Sequence, residues 1–139
     1  VGIIHAMEGG LRFTTHLHNG DPLTARTVHV PAGRPVHGQP PFTWEFSATD
    51  ALRFDGFDKW QDWTVGGVLF KLEAYNGFGY RHLKSPIPSP YLWSYTNHYT
   101  KGKFGSDSHY DPGLVSKQPG AAALLRVMVD KGHVTLATS

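Results

Sequence analysis

Apolar residues recur at helical spacing in five stretches of the chain, and this pattern predicts a mainly helical protein. The clearest stretch is 63–76, in which five apolar residues share one stripe: Val65, Val68, Leu69, Leu72 and Tyr75. The other predicted helices cover 1–7, 43–54, 89–95 and 119–131. Helix-ending glycines follow four of the five stretches, at Gly9 or Gly10, Gly56, Gly77 and Gly132.

Between the first two helices the side chains alternate with a period of two, and residues 24–30 are predicted to form a short strand that Pro31 ends. The proline- and glycine-rich segment 31–41 is predicted to be an ordered loop or half of an irregular hairpin. Residues 100–113 are predicted to be a polar loop, and 134–138 a short strand or a tail. The expected fold class is therefore α+β, mainly α: one domain over 1–139 with a small extended region after the first helix.

The helical pattern is already under way at Val1, so we expect an upstream part of the first helix to be missing. No apolar run is long enough to span a bilayer, and we expect no membrane span.

Composition narrows the function classes. The absence of cysteine excludes disulfides and thiolate chemistry. A formal net charge of +2 suits an anionic polymer such as the cell wall but is too small to indicate nucleic-acid binding. No phosphate-loop or dinucleotide fingerprint is present, so we expect no cofactor. His16 and His18 would share one face of an extended segment, but the nine histidines form no spaced ligand set, and we expect no metal.

Glu8 is the strongest candidate for chemistry, because it ends the first apolar segment and two glycines follow it. A carboxyl group among apolar side chains favours its protonated form, which makes it usable as a general acid near neutral pH. The neighbouring Gly9 and Gly10 would let a bulky polymer approach the backbone. The alternative is an ordinary carboxylate at the unfavourable, negative end of a helix.

A second carboxylate, Asp21, lies in the turn that follows, Asn19-Gly20-Asp21-Pro22. It could hold the attacking water of an inverting sugar-cleaving mechanism. The alternative is an aspartate that caps its own turn. Glu73, on the helix over 63–76, falls off the apolar stripe and is predicted to be exposed.

The end of that helix carries Ala74-Tyr75-Asn76-Gly77. On a functional interpretation, the Tyr75 hydroxyl lies near the acid and the Asn76 amide binds a sugar N-acetyl group. The chain is also rich in Trp and Tyr, and sugar rings present apolar faces that stack on aromatic rings. We therefore expect some of these aromatic residues to line a glycan groove and the rest to be core.

At these residues the chain resembles the lysozyme superfamily, most of all goose-type lysozymes, lytic transglycosylases and phage-type muramidases. Members carry a catalytic Glu at a helix end, then Ala-Tyr-Asn at the end of another helix, then an aromatic-bearing helix. The matching segments occur here in the same order: Glu8-Gly9, Ala74-Tyr75-Asn76 and Tyr91-Leu92-Trp93-Ser94-Tyr95. The chain departs from the family in having Gly9 where Ser is usual and in lacking a Gly-Leu-Met-Gln segment.

The resemblance implies a lysozyme-like domain whose general acid is Glu8. It also implies sugar contacts from five residues: Tyr75, Asn76, Tyr80, Trp93 and Tyr95. The segments that carry Glu8 and Asn76 would then face one another.

The first hypothesis is a glycosidase that cleaves peptidoglycan after N-acetylmuramic acid, acting on the bacterial wall in the periplasm or outside the cell. Glu8 would act either with Asp21, giving hydrolysis, or alone, giving an anhydro product. The second hypothesis is a non-catalytic glycan-binding module on a lysozyme-like frame. The third is a structural or tail-associated phage domain in which loops 16–41 contact a partner chain.

Overall fold

A computed structural model describes residues 1–138, and over that range the protein is mostly helical, with five α-helices and two short strands. The coarse prediction, α+β and mainly α, is confirmed. The α-helices are α1 (Gly2–Gly9), α2 (Trp44–Phe54), α3 (Val65–Asn76), α4 (Pro90–Trp93) and α5 (Ala121–Asp130). Antiparallel strands β1 (Lys103–Phe104) and β2 (Tyr110–Asp111) pair with each other. Two 3₁₀ turns cover Phe57–Lys59 and Gly79–His82.

All five predicted helices are present, and side-chain caps explain where three of them begin. The hydroxyl of Thr43 accepts from the Phe46 N–H at 3.2 Å at the start of α2. Thr64 and Ser89 cap α3 and α4 in the same way. Each cap satisfies a backbone N–H that has no partner within its helix.

The predicted strand over 24–30 is wrong, and between α1 and α2 the β structure is an isolated antiparallel bridge from Thr15 to Pro22. Thr27 explains the failure, because its hydroxyl accepts from the Arg34 N–H at 2.9 Å and its N–H donates to the Arg34 carbonyl at 2.8 Å. These bonds close a local loop and remove Thr27 from any strand ladder. The two strands lie instead inside the predicted loop 100–113. Residues 134–138 form a tail without a strand.

The apolar stripe predicted for α3 is only partly correct. Val65 is 53% exposed, whereas Glu73, predicted to be exposed, is only 7% exposed. The Glu73 carboxylate receives two hydrogen bonds of 2.8 Å from the Arg81 guanidinium, one to each oxygen. A bidentate ion pair of this kind compensates for the loss of water around a buried charge.

The chain divides into two compact units, Val1–Gln61 and the part from Asp62 onward. Buried apolar side chains of the first unit come from α1, α2 and the loop between them, including Ile4, Leu17 and Ala51. Among the described residues, no helix is long and apolar enough to cross a membrane.

In the second unit α5 packs against both α4 and α3. Gly120, just before α5, is buried and donates its N–H to the Ser94 carbonyl at 2.9 Å. A Cβ at residue 120 would overlap the carbonyl of Leu92. Glycine is therefore required where the chain passes α4 to begin α5.

Candidate functional site around the end of the first helix

The C-terminal end of α1 is closed by two consecutive residues in the left-handed conformation, Gly10 at φ 59° and Leu11 at φ 64°. The Leu11 N–H donates to the His5 carbonyl at 3.1 Å, and the Gly10 N–H donates to the Ala6 carbonyl at 3.1 Å. The Gly10 bond is that of the αL helix-ending motif, and both bonds satisfy carbonyls that the helix end leaves without partners. The backbone next to Glu8 is thus fixed in one conformation.

His5 holds the segment after the helix. Its buried ring packs between Phe13 and Trp44, at centroid distances of 4.8 and 4.7 Å, and Nε2 donates to the Arg12 carbonyl at 2.7 Å. His5 therefore both packs in the core and holds the backbone that follows α1.

Glu8 itself is half-buried on the last turn of α1. Gly20 lies against its backbone: it has φ 83°, and a Cβ there would overlap the Glu8 carbonyl. The loop that carries Asp21 is therefore folded onto the end of the helix that carries Glu8.

Next to Glu8, a second loop residue meets the end of α1. The Thr15 hydroxyl lies so close to Gly9 that a Cβ at Gly9 would come within 2.7 Å of it. Within residues 1–138 this hydroxyl is buried and has no hydrogen-bond partner. Most buried polar atoms in proteins are satisfied, so this hydroxyl is an exception, and because it is enclosed it belongs to the packing of the loop on α1.

Asp21 is buried, and both of its carboxylate oxygens are engaged. One oxygen accepts from the backbone N–H groups of Val28 and His29 at 2.9 and 3.0 Å, and the other faces His29 Nδ1 at 2.7 Å. Burial alone would raise the pKa of Asp21, but these donors outweigh it and hold the pKa below its ordinary value. Asp21 therefore anchors the loop 28–30. Whether it also takes part in catalysis stays a prediction.

Replacing Asp21 by Asn should destabilise the fold by about 1.5–3 kcal/mol at pH 7, because hydrogen bonds to a charged acceptor are lost. A depressed folded-state pKa contributes stability that is full above the ordinary value of 3.8 and is lost as the pH falls through the folded value. The difference between wild type and D21N should therefore shrink below pH 3.8. Urea denaturation at pH 7, 5 and 3 measures it, and an equal difference at all three would contradict this account.

A buried polar network joins the loop after α1 to α2. This network was not predicted from the sequence. His16 Nε2 donates to the Ala25 carbonyl at 2.8 Å, so its Nδ1 accepts from the Ser47 hydroxyl at 2.6 Å. His18 Nε2 donates to Asp50 at 2.7 Å, and the Arg34 guanidinium binds Asp50 through two hydrogen bonds.

Burial lowers the pKa of His18 although Asp50 opposes the shift, so the ring is held neutral. The side chains of Ser47, His16 and His18 are buried away from any substrate. The hydrogen bonds among Ser47, the two histidines and Asp50 therefore stabilise the fold and do not form a catalytic triad. No three His, Cys, Asp or Glu side chains of the described chain are grouped so that they could hold a metal.

The other five predicted site residues belong to the second unit. Asn76 is exposed at the end of α3, Tyr75 and Trp93 are half-buried, and Tyr95 is 67% exposed. Tyr95 lies outside α4, with φ 68°, and its hydroxyl donates to the Lys117 carbonyl at 3.0 Å. A depression in this unit is lined by a different set: Leu83, Lys84, Ser85, Ile87, Lys101, Tyr110 and Pro112.

Tyr80, the fifth predicted site residue of this unit, is only 6% exposed. Its ring packs edge-on against Phe104 at 4.9 Å, and its hydroxyl accepts from the Phe104 N–H at 3.0 Å. Burial raises the pKa of this phenol, which keeps it protonated. These contacts give Tyr80 a role in holding β1.

Replacing Tyr80 by Phe should lower the free energy of unfolding by about 1 kcal/mol, because the Phe104 N–H loses its acceptor. Thermal denaturation measures the loss. Glycan binding by Y80F should equal that of the wild type, since the ring stays in place. Weakened binding with unchanged stability would instead support the predicted sugar contact.

Comparison of the chain with known proteins found no match: no family model, no curated protein and no solved structure is significantly similar to it.

Proposed function

We propose that this protein is a peptidoglycan-degrading glycosidase with a lysozyme-like fold, and that Glu8 is its general acid. The observation that carries the proposal is the position of Glu8, half-buried on the last turn of α1 with the loop 15–21 folded against it. The substrate is the glycan strand of the bacterial wall, which the protein meets in the periplasm or outside the cell.

The surroundings of Glu8 support an acid role. The negative end of a helix favours the protonated form of a nearby carboxyl group, which is the form that donates a proton. Exposed Gly10 follows the helix end, so a polymer meets no side chain at that position.

In the proposed reaction, the Glu8 carboxyl donates its proton to the glycosidic oxygen between N-acetylmuramic acid and the next sugar. The bond between that oxygen and the anomeric carbon breaks. The anomeric carbon is then captured either by water or by the 6-hydroxyl of the same muramyl residue. Exposed Asn76 and Tyr95 and half-buried Tyr75 and Trp93 are proposed to bind the glycan.

The test is incubation of purified peptidoglycan with the protein, followed by mass determination of the released fragments. Hydrolysis adds one water for each bond cut, whereas the anhydro route adds none. Binding to the wall without release of sugar would reject the enzyme and favour the non-catalytic glycan-binding module.

A further inference from the structure

We propose that His29 is the base that activates water in this reaction, and that Asp21 positions it. This inference rests on the proposed glycosidase function and deepens it. It assigns a catalytic role to a residue that has no motif in the sequence.

Asp21 and His29 form an oriented pair. The side chain of Asp21 is 10% exposed, and that of His29 is 78% exposed. A carboxylate with a depressed pKa is ionised and only accepts, so the 2.7 Å contact is a hydrogen bond from His29 Nδ1–H. When the ring is neutral, the remaining nitrogen, Nε2, carries the lone pair that a general base requires.

The backbone of His29 is fixed from both sides. Its N–H donates to Asp21, and its carbonyl accepts from the Asn19 side-chain amide at 3.0 Å. An exposed side chain normally keeps its rotamer freedom, and ordering it costs free energy. One hydrogen bond to the ring, on a backbone that two others hold, therefore gives this exposed imidazole a preferred orientation.

Asp21 belongs to the loop that folds onto the backbone of the candidate acid. Gly20, which contacts the Glu8 carbonyl, directly precedes Asp21. Both oxygens of Asp21 are already engaged by Val28 and His29, so little capacity remains there to hold a water. His29 is the member of the pair that reaches solvent.

The step balances with water as the only co-reactant. His29 Nε2 takes a proton from water while the water oxygen forms a bond to the anomeric carbon. The bond from that carbon to the glycosidic oxygen breaks, and Glu8 gives its proton to the departing oxygen. The products leave His29 protonated and Glu8 ionised, and proton exchange with solvent restores both.

The experiment compares wild type, His29→Ala and His109→Ala on purified peptidoglycan, with fragment masses and rates as readouts. His109 is a matched control, because it is also exposed and its Nδ1 lies 3.1 Å from an aspartate, Asp107. We expect H29A to lose about 100-fold in the rate of hydrolysis. Added imidazole should restore part of that loss, and H109A should match wild type.

The outcomes separate the inference from the proposed function. A wild type that releases no sugar overturns both. An active wild type with an equally active H29A, a loss that imidazole does not restore, or exclusively anhydro products overturns the role of His29 alone.

A nitrogen-15 NMR measurement tests the pair without activity. We expect Nδ1 to carry the proton in neutral His29 and D21N to shift the proton toward Nε2. A mixed tautomer in wild type that D21N leaves unchanged would overturn the positioning role of Asp21.

Discussion

Replacing Glu8 by Gln should abolish the clearing of purified cell wall, with a loss of at least about 10³-fold in rate. The amide has nearly the shape of the acid but cannot donate the proton that the leaving oxygen needs. Because Glu8 is only half-buried at a helix end that disfavours negative charge, E8Q should fold normally. The loss should therefore appear in activity and not in the thermal denaturation temperature.

A matched control is Glu45→Gln. Glu45 is exposed in the first turn of α2, where its charge is favourable to the helix. E45Q should keep wall clearing and lose only a little stability. Clearing by E8Q at the wild-type rate would reject Glu8 as the acid. Equal losses in E8Q and E45Q would point to a general effect of charge.

Replacing Asp50 by Ala should lower the free energy of unfolding by about 3 kcal/mol, the largest loss of stability that we predict. The substitution leaves the buried His18 ring without an acceptor and removes both hydrogen bonds of Arg34. Those bonds tie the loop of the first unit to α2. Urea denaturation at pH 7 measures the change.

Asp58→Ala is the control for this variant. Asp58 is exposed in the 3₁₀ turn Phe57–Lys59, so its loss should change stability by less than about 0.5 kcal/mol. A change in D50A no larger than that in D58A would show that the network contributes nothing to stability.

The helices could be predicted from the sequence because their causes are local. Thr43 and Thr64 cap the helices whose starts they mark, and Gly10 ends α1 in the left-handed conformation that glycine favours. Burial on α3 could not be predicted, since Glu73 is buried by an ion pair with Arg81 and not by its place on a stripe.

The surroundings of the candidate site depend on contacts between residues that are far apart in the sequence, so local patterns do not predict them. The spacing of His16 and His18 raises the possibility of a metal site, whereas in the structure His16 hydrogen-bonds Ser47, which lies 31 residues later in the chain. The hydrogen bond between His29 and Asp21 could not be predicted from the sequence near Asp21. The pattern over 24–30 predicts a strand, and a strand would not fold back onto Asp21. The alternation there was a misleading signal, because Thr27 binds Arg34 across the loop instead of a neighbouring strand.

Gly20 and Gly120 give a signature by which related chains could be sought. A side chain at residue 20 would overlap the carbonyl of Glu8 in α1, and a side chain at residue 120 would overlap the carbonyl of Leu92 in α4. Aromatic residues on the surface can be exchanged as the ligand changes, but these two sites admit no side chain while the backbones stay where they are. Distant relatives should therefore keep both glycines after most of their other residues have diverged.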